Sequence, residues 1–321
     1  MTARLTFDVP LAPILGSTFQ PTGFPDIGAA TFTRFEGGKE LPCVLVESVQ
    51  SMANRLEATA WDPAVDEPVS EVAGLPWVRV VREGTDTFLT SSRLEAHRLA
   101  SPFVHEAKLD GKPMFGVIND RLGLAPDTPL DRRAMAAAVA RLDPFCLLHG
   151  VFFSRKEWFG QPKFERAVSA VIEARDVRRA VSGGRKSDRV RHQLNTEDGS
   201  GGTAEGYGSV PFHRTEWTAA VIGASFEVDL SLIRSYGLPG PATELLEVLA
   251  LWEVRRFLES GLRLRTACDL EQVGEVTSRH GSVLPDTGEL VDQMRQLIAD
   301  SAALFGDGGP LTVQWSGKKK A

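Results

Sequence analysis

The chain has 321 residues, 42% of them hydrophobic and 24% charged, which is typical of a globular protein with one large domain or two ordinary ones. Its net charge of −6 argues against a protein that coats nucleic acid indiscriminately, but it permits a local basic groove. No apolar run approaches the length of a membrane span, and the N-terminus has no signal-peptide pattern. We therefore expect a cytoplasmic protein without a membrane partner.

The three cysteines, Cys43, Cys146 and Cys268, are far apart and lie in apolar surroundings. This distribution indicates buried free thiols in a reducing compartment. It does not indicate a disulfide framework or a metal site.

Residues 1–40 are rich in Pro, Gly and Thr and show no helical period, so we predict an ordered loop region. Its aromatic residues are too apolar for a disordered tail. Phe19, Gln20 and Thr22 are candidates for contact with a ligand.

Residues 43–47 form a short apolar run typical of a buried strand, and a helical period follows directly. Met52 and Leu56 lie on the apolar face of this helix, and Ser48 is placed as its N-cap. The opposite face is rich in amide and hydroxyl groups, which favours contact with a polar partner, although a capped helix with a polar outer face would look the same. Its candidate contacts are Gln50, Ser51, Asn54 and Arg55.

Residues 62–128 are predicted to form an insertion that projects from a smaller fold. Within it, 77–81 and 87–90 are typical of short strands. Residues 91–100 begin like a helix, which Pro102 is expected to stop.

The second half of the chain alternates between predicted helices and strands. Helices are expected at 131–142, after Pro239 and after Asp286, where Asp286 and Glu289 have capping-box spacing. Strands are expected at 145–153, 167–175, 216–230 and 311–315, and a glycine-rich loop is expected between the second and third of these. This order predicts an α+β fold with an antiparallel sheet and helices on one face, without selecting one such fold.

Positive charge is concentrated at positions 175–191, where seven Arg and Lys residues against two Asp give +5 and leave −11 on the rest of the chain. Such segregation favours a polyanion as partner, although a basic loop that serves only solubility remains the alternative. The predicted phosphate contacts are Arg178, Arg179, Arg185, Lys186, Arg189 and Arg191. Further along the chain, His213, Arg214 and Trp217 are suited to stacking on bases.

Motifs of common enzymes are missing from the sequence: it has no dinucleotide fingerprint, no Walker loop and no His-Glu-x-x-His. Cys146 and His149 have the residue types of a catalytic pair, but their apolar run favours a core position. His97 and His105 are possible metal ligands, and loop histidines are common without metal. We predict no catalytic residue, no metal and no cofactor.

Three long strings, FQPTGFPDIGAA, LVESVQSMANRLEA and RTEWTAAVIGASF, resemble the crRNA-binding backbone subunit of type I-G (formerly I-U) CRISPR Cascade complexes, a member of the RAMP superfamily. The resemblance runs from about Leu15 to about Leu238. It implies a single domain over 1–321 with an elaborated RRM-like (ferredoxin-like) palm. It also implies a finger-like insertion at 62–128 and a thumb-like loop at 195–214.

The function implied by the resemblance is that of a non-catalytic subunit that polymerises along the crRNA and presents it for pairing with target DNA. Its partners would be crRNA, target DNA, further copies of itself and other Cascade subunits. The RAMP superfamily also contains RNA-cleaving endoribonucleases, which are the main alternative. A metabolic α+β enzyme is a third possibility, disfavoured by the lack of a site motif.

Overall fold

The computed structural model describes residues 2–24, 27–187, 209–306 and 308–317. They form an α+β fold whose larger sheet is antiparallel, as predicted. No helix in these ranges is both long and apolar enough to cross a bilayer. The strands are β1 (Arg4–Pro13), β2 (Gly23–Phe24), β3 (Gly28–Ala29), β4 (Thr31–Glu36), β5 (Lys39–Glu47), β6 (Trp61–Asp62), β7 (Glu67–Pro68), β8 (Trp77–Arg82), β9 (Phe88–Ser91), β10 (Lys108–Leu109), β11 (Lys112–Pro113), β12 (Val151–Phe152), β13 (Lys163–Phe164), β14 (Val168–Ser187), β15 (Ser209–Asp229), β16 (Leu262–Arg265), β17 (Cys268–Gln272) and β18 (Pro310–Trp315).

The helices of the described ranges pack on both sheets and on one another. Two 3₁₀ turns, Ser70–Val72 and Arg98–Ala100, accompany them. The helices are α1 (Val49–Ala58), α2 (Pro102–His105), α3 (Met114–Leu122), α4 (Arg132–Leu142), α5 (Phe145–His149), α6 (Leu230–Ser235), α7 (Gly240–Glu259), α8 (Thr287–Asp300) and α9 (Ala302–Phe305).

The larger sheet contains a ferredoxin-like core. Its spatial order is β16, β17, β1, β15, β14, β5, β4. The four strands β17, β1, β15 and β14 are antiparallel neighbours, with α1 before β14 and α7 between β15 and β17. This is the β-α-β-β-α-β arrangement in the order fourth, first, third, second. The hairpin of β4 and β5 extends the sheet beyond β14.

The hydrophobic core lies between this sheet and its helices. Alternate residues of β1, β14 and β15 are buried, including Phe7, Ile172 and Phe226, because successive strand side chains point to opposite faces. Phe226 meets Phe257 of α7 with their ring centroids 6.2 Å apart. Met52 and Leu56 of α1 are both 0% exposed, so the predicted apolar face of this helix is confirmed.

The ends of α1 and α8 follow from their capping residues. The Ser48 hydroxyl accepts a hydrogen bond from the Ser51 amide at 3.2 Å, as its position in the sequence predicts. Asp286 accepts one from the Glu289 amide at 2.9 Å. Gly261, just beyond α7, has φ +85°, a conformation that glycine adopts without strain.

The predicted insertion contributes to a second sheet, in the order β11, β10, β18, β8, β9. Its strands β8 and β9 match the predicted segments at 77–81 and 87–90. The central strand β18 comes from the C-terminal end of the chain and runs parallel to β8. This second sheet is thus completed by a distant segment, which local patterns do not reveal.

Three local predictions are wrong. Residues 4–13 form β1, inside the main sheet, although two prolines made this stretch resemble a loop. Residues 145–149 form α5, because Asp143 accepts from the Phe145 amide and starts a helical turn. Pro102 begins α2 and does not stop a helix, since Ser101 caps its first turn.

A buried ionic cluster lies beneath α1. Glu57 is 2% exposed and meets Arg98, whose Nε lies 3.1 Å from Oε1 and 3.0 Å from Oε2. Arg98 Nη1 also donates to the Gly150 carbonyl at 3.1 Å. His149 Nε2 faces Glu253 Oε1 at 2.8 Å. Burial raises the pKa of Glu57 to about 7, and the Arg98 charge opposes that shift.

Glu57→Gln is expected to change the pH dependence of stability. The pKa of Glu57 in the folded state, about 7, exceeds the ordinary value of 4.5. The contribution of Glu57 to the free energy of unfolding is therefore fully present below pH 4.5 and is lost as the pH rises toward 7. The wild-type free energy of unfolding should therefore fall, relative to the variant, by roughly 3 kcal/mol between about pH 4.5 and 7.

Urea titrations across this pH range measure the difference. The exposed Glu67, changed to Gln, controls for the general effect of removing a carboxylate. Parallel curves for wild type and Glu57→Gln would contradict the shifted ionisation.

Candidate nucleic-acid interface

The basic stretch lies on a long two-stranded ribbon formed by β14 and β15. These strands pair continuously from Val168–Val228 to Ser187–Ser209, apart from the kink at Asp176, where φ is +49°. The outer part of the ribbon extends past the strands that flank its base, β5 and β1.

The predicted thumb-like loop at 195–214 is described only from position 209, where it forms part of β15. Arg185 and Lys186 lie on β14, described by backbone alone. Arg189 and Arg191 lie outside the described residues.

The pairing register divides the predicted contacts between the two faces of the ribbon. Arg179 lies opposite Trp217, and His213 lies four residues from Trp217 on the same strand, so all three share one face. Arg178 and Arg214 belong to the other face. There Arg178 donates to Asp176 at 2.8 Å, and the Arg214 guanidinium lies 5.1 Å from the centroid of the Phe212 ring.

An open groove of about 760 Å³ lies between the Arg179 face of the ribbon and the segment that follows β1. It brings together five of the predicted contacts, Gln20, Thr22, Arg179, His213 and Trp217. We call this surface the ribbon groove. Its remaining lining residues are Pro21, Gly23, Ile27, Gly28, Ala29, Thr31 and Thr215.

The segment with Gln20 and Thr22 is held against the sheet by its backbone. Phe19 and Trp217 exchange two backbone hydrogen bonds of 2.9 Å. The Gln20 amide donates to Ala267 at 2.7 Å, and the Thr22 amide donates to Val46 at 3.0 Å. The Phe19 side chain is 1% exposed and belongs to the core, so its predicted contact with RNA is wrong for the isolated chain.

Glu47 at the end of β5 anchors this arrangement. Its side chain is 2% exposed, and Oε2 accepts from Arg55 Nε at 3.1 Å and from Arg265 Nη2 at 2.7 Å. Arg265 Nη1 in turn donates to the Gln20 carbonyl at 2.9 Å. A single buried carboxylate thus connects α1, β16 and the wall of the ribbon groove.

The polar face of α1 is divided between two surfaces. Arg55 donates to Glu47 and, at 2.6 Å, to the Leu264 carbonyl, so its guanidinium is turned toward the protein. The prediction that Arg55 faces RNA does not fit this geometry. Gln50 and Asn54 are exposed as predicted, but they line a different pocket from the ribbon groove. Ser51 is half-buried, and its amide is the one capped by Ser48.

The ribbon groove combines the groups that single-stranded nucleic acid requires. Arg179 supplies a cation and donates to the Thr215 hydroxyl at 3.2 Å. The half-buried Trp217 and the exposed His213 supply rings on which bases can stack. Gln20 and Thr22 add neutral polar groups. The arrangement favours backbone contact and stacking over readout of base edges.

The outer face of the main sheet differs from this groove. Where β1, β14 and β15 are paired, its side chains include Asp8, Glu173, Arg175 and Ser225. At the positions where β1, β14 and β15 pair side by side, the outward side chains include no aromatic ring, so this part of the sheet lacks the stacking platform of an RRM. Burial raises the pKa of Asp8, but hydrogen bonds from Arg279 and Ser225 and the positive charge of Arg279 outweigh it and lower the pKa overall.

The candidate catalytic and metal residues lie elsewhere. Cys146 and His149 are 0% and 1% exposed, which confirms their core position, and burial raises the pKa of the Cys146 thiol well above its ordinary value. All three cysteines are buried and free. Within the described ranges, no group of three or more His, Cys, Asp or Glu residues is arranged to hold a metal.

The residues that sequence reasoning missed are those that position the groove. Glu47 and Arg265 are 218 positions apart, and no local pattern connects them. A signal for Glu47 was its place as a charged residue that ends an apolar strand. Because a buried charge requires a partner, a carboxylate at this position predicts a cationic side chain beside it in the fold.

Fold and groove together define a ferredoxin-like α+β protein with a candidate interface for single-stranded nucleic acid. The profile of the family described as CRISPR-associated protein GSU0053 matches residues 5–179, more than half of the chain. The chain belongs to this family. No curated protein matches it in sequence.

Two solved structures are similar to the chain at a low level. One is entitled "CRISPR RNA-guided surveillance complex, pre-nicking", with 14% identity, a TM-score of 0.37, and coverage of 95% of this chain and 90% of that one. The other is Csc2 of Thermofilum pendens, with 12% identity, a TM-score of 0.31, and coverage of 94% and 77%.

Glu47→Gln is expected to loosen the wall of the ribbon groove. The change removes the negative charge that two guanidinium groups share, at a cost of about 1.5–3 kcal/mol for hydrogen bonds to a charged group. Hydrogen exchange at the Gln20 and Thr22 amides should accelerate, because the Arg265 link to this segment weakens.

Peptide-level exchange by mass spectrometry measures this effect. Glu36→Gln is the matched control, because Glu36 is exposed and meets Arg34 at 3.7 Å on the surface. Unchanged exchange across 19–23 in Glu47→Gln would show that the carboxylate does not hold the groove.

Proposed function

We propose that this protein is a non-catalytic, crRNA-binding backbone subunit of a CRISPR Cascade-type complex, of type I-G. Membership of a CRISPR-associated family supports the setting. The observation that carries the RNA-binding role is the ribbon groove, where a cation, two stackable rings and two neutral polar groups meet. In this proposal, further copies line up along the guide, and other Cascade subunits complete the complex.

The chemistry of the groove fits a subunit that must hold any guide sequence. Contacts to phosphates position a strand without reading its bases, and stacking tolerates every base. The base edges of the guide then stay free to pair with target DNA, and that pairing supplies specificity. A groove on one face of a projecting ribbon also leaves the opposite face, with Arg178 and Arg214, available to a neighbouring copy.

The non-catalytic part of the proposal rests on where the reactive residues lie. Cys146 and His149 are enclosed in the core, so substrate has no access to them in this structure. Incubation of labelled RNA with the purified protein and Mg²⁺ tests the alternative of an RNA-cleaving endoribonuclease. Specific cleavage products that form only when the protein is present would contradict the non-catalytic role and would favour the endoribonuclease.

Arg179→Ala is expected to weaken binding of single-stranded RNA regardless of its sequence. Loss of one phosphate contact should also flatten the dependence of log affinity on log salt by roughly 0.7. The Arg179 side chain is exposed, so the variant should keep its fold.

The matched control is Arg178→Ala, which removes the same charge one position away on the other face of the ribbon. Fluorescence anisotropy with labelled RNA at several salt concentrations compares the two variants. Equal losses of RNA affinity in the two variants would indicate a diffuse effect of charge, and the ribbon groove would then not be the RNA-binding site.

A further inference from the structure

A pocket of about 430 Å³ lies at the edge of the main sheet, where α7 ends and β16 begins. Among the described residues β16 is the last strand of that sheet, so one of its two edges faces no other strand. The C-terminal end of α1 and parts of the segment 61–69 complete the lining of the pocket. We call this surface the β16 pocket.

Positive charge exceeds negative charge in the lining of the β16 pocket. Three arginines, Arg55, Arg256 and Arg263, line it together with a single carboxylate, Asp62. The guanidinium of Arg55 is engaged by Glu47. By contrast, the side chains of Arg256 and Arg263 form no hydrogen bond, ion pair or ring contact with any residue that the structure describes.

The carboxylates closest to these two arginines along the chain and across the sheet do not neutralise them. Glu259, three residues after Arg256, accepts a hydrogen bond from the Thr287 hydroxyl at 2.6 Å. Asp269 lies opposite Arg263 in the pairing of β16 with β17, but the two side chains form no ion pair. Arg256 is half-buried and Arg263 is exposed, so both guanidinium groups are accessible to a partner.

The rest of the β16 pocket is apolar at its base and offers no platform for bases. The buried side chains of Leu262 and Leu264 line it. Its two aromatic rings, those of Trp61 and Phe257, are only 6% and 5% exposed. Neither ring presents a face on which a base can stack, in contrast to the rings of the ribbon groove. The pocket therefore suits a peptide better than a nucleic acid.

We propose that the β16 pocket binds an acidic segment of another protein, whose carboxylates pair with Arg256 and Arg263 while an apolar side chain covers the buried leucines. A carboxylate matches the planar donors of a guanidinium and accepts two parallel hydrogen bonds from it. A segment in an extended conformation also finds unpaired backbone groups along the open edge of β16. Charge, shape and backbone chemistry thus select the same partner.

The β16 pocket is independent of the ribbon groove, because the two surfaces share no lining residue. Peptide binding can therefore be measured whether or not the protein binds RNA. A failure of either proposal leaves the other to its own experiment.

The probe is a short labelled peptide with Leu between pairs of Glu, and the control peptide has Gln in place of each Glu. Fluorescence anisotropy of the purified protein at low salt should show saturable binding of the Glu peptide alone. Arg256→Ala and Arg263→Ala should each weaken this binding by about tenfold or more, through the loss of hydrogen bonds to a charged group.

The matched control variant is Arg121→Ala, because Arg121 is an exposed arginine outside the pocket and its side chain has no partner among the described residues. It should bind the Glu peptide as wild type does. A thermal melt of each variant checks that the fold is kept, and the exposed Arg263 provides the variant least coupled to stability.

The inference is overturned if the Glu peptide does not bind, or if the Gln peptide binds as tightly. It is also overturned if Arg256→Ala and Arg263→Ala bind the Glu peptide as tightly as Arg121→Ala does. Anisotropy with single-stranded RNA and sedimentation of the protein alone test the other occupants. A loss of RNA affinity or of self-association in the two pocket variants, with peptide affinity unchanged, would assign the pocket to nucleic acid or to a second copy and contradict the inference.

Discussion

The antiparallel pairing of β14 with β15 determines both the core and the candidate interface. Near the base, their register places Ile172 and Phe226 against the helices. Beyond Asp176 the same two strands continue as a ribbon without flanking strands on both sides, and alternation places Arg179 and Trp217 together. A shift of one residue in this register would exchange the faces of the ribbon, so the groove depends on the same hydrogen bonds that order the core.

The ribbon groove also needs its second wall, which Glu47 secures. A carboxylate that is 2% exposed would be costly if it were unpaired, but here it meets Arg55 and Arg265. Arg55 was a reasonable candidate for RNA contact from its place on a polar helix face. In the structure Arg55 instead binds Glu47, the carboxylate that also accepts from Arg265, and Arg265 donates to the Gln20 carbonyl.

Sequence patterns predicted the elements that local chemistry defines. The Ser48 cap, the apolar face of α1 and the long strand β15 follow from spacing and side-chain type alone. Sequence patterns did not predict β1, because its two prolines are untypical of a strand that pairs on both sides. They also did not predict the pairing of β18 with β8, which are far apart in the sequence. Of the candidate contacts, several converge on one groove, while Gln50 and Asn54 line another, because the fold decides which polar faces meet.

Photo-crosslinking of 4-thiouridine RNA to the assembled complex, with mapping of the crosslinked peptides, tests the central claim most directly. The account predicts that RNA crosslinks to peptides of the ribbon groove, at His213 to Trp217 on one wall and Gln20 to Thr31 on the other. Crosslinks confined to α8 or to the sheet of β8 and β18, with none in the groove, would contradict it.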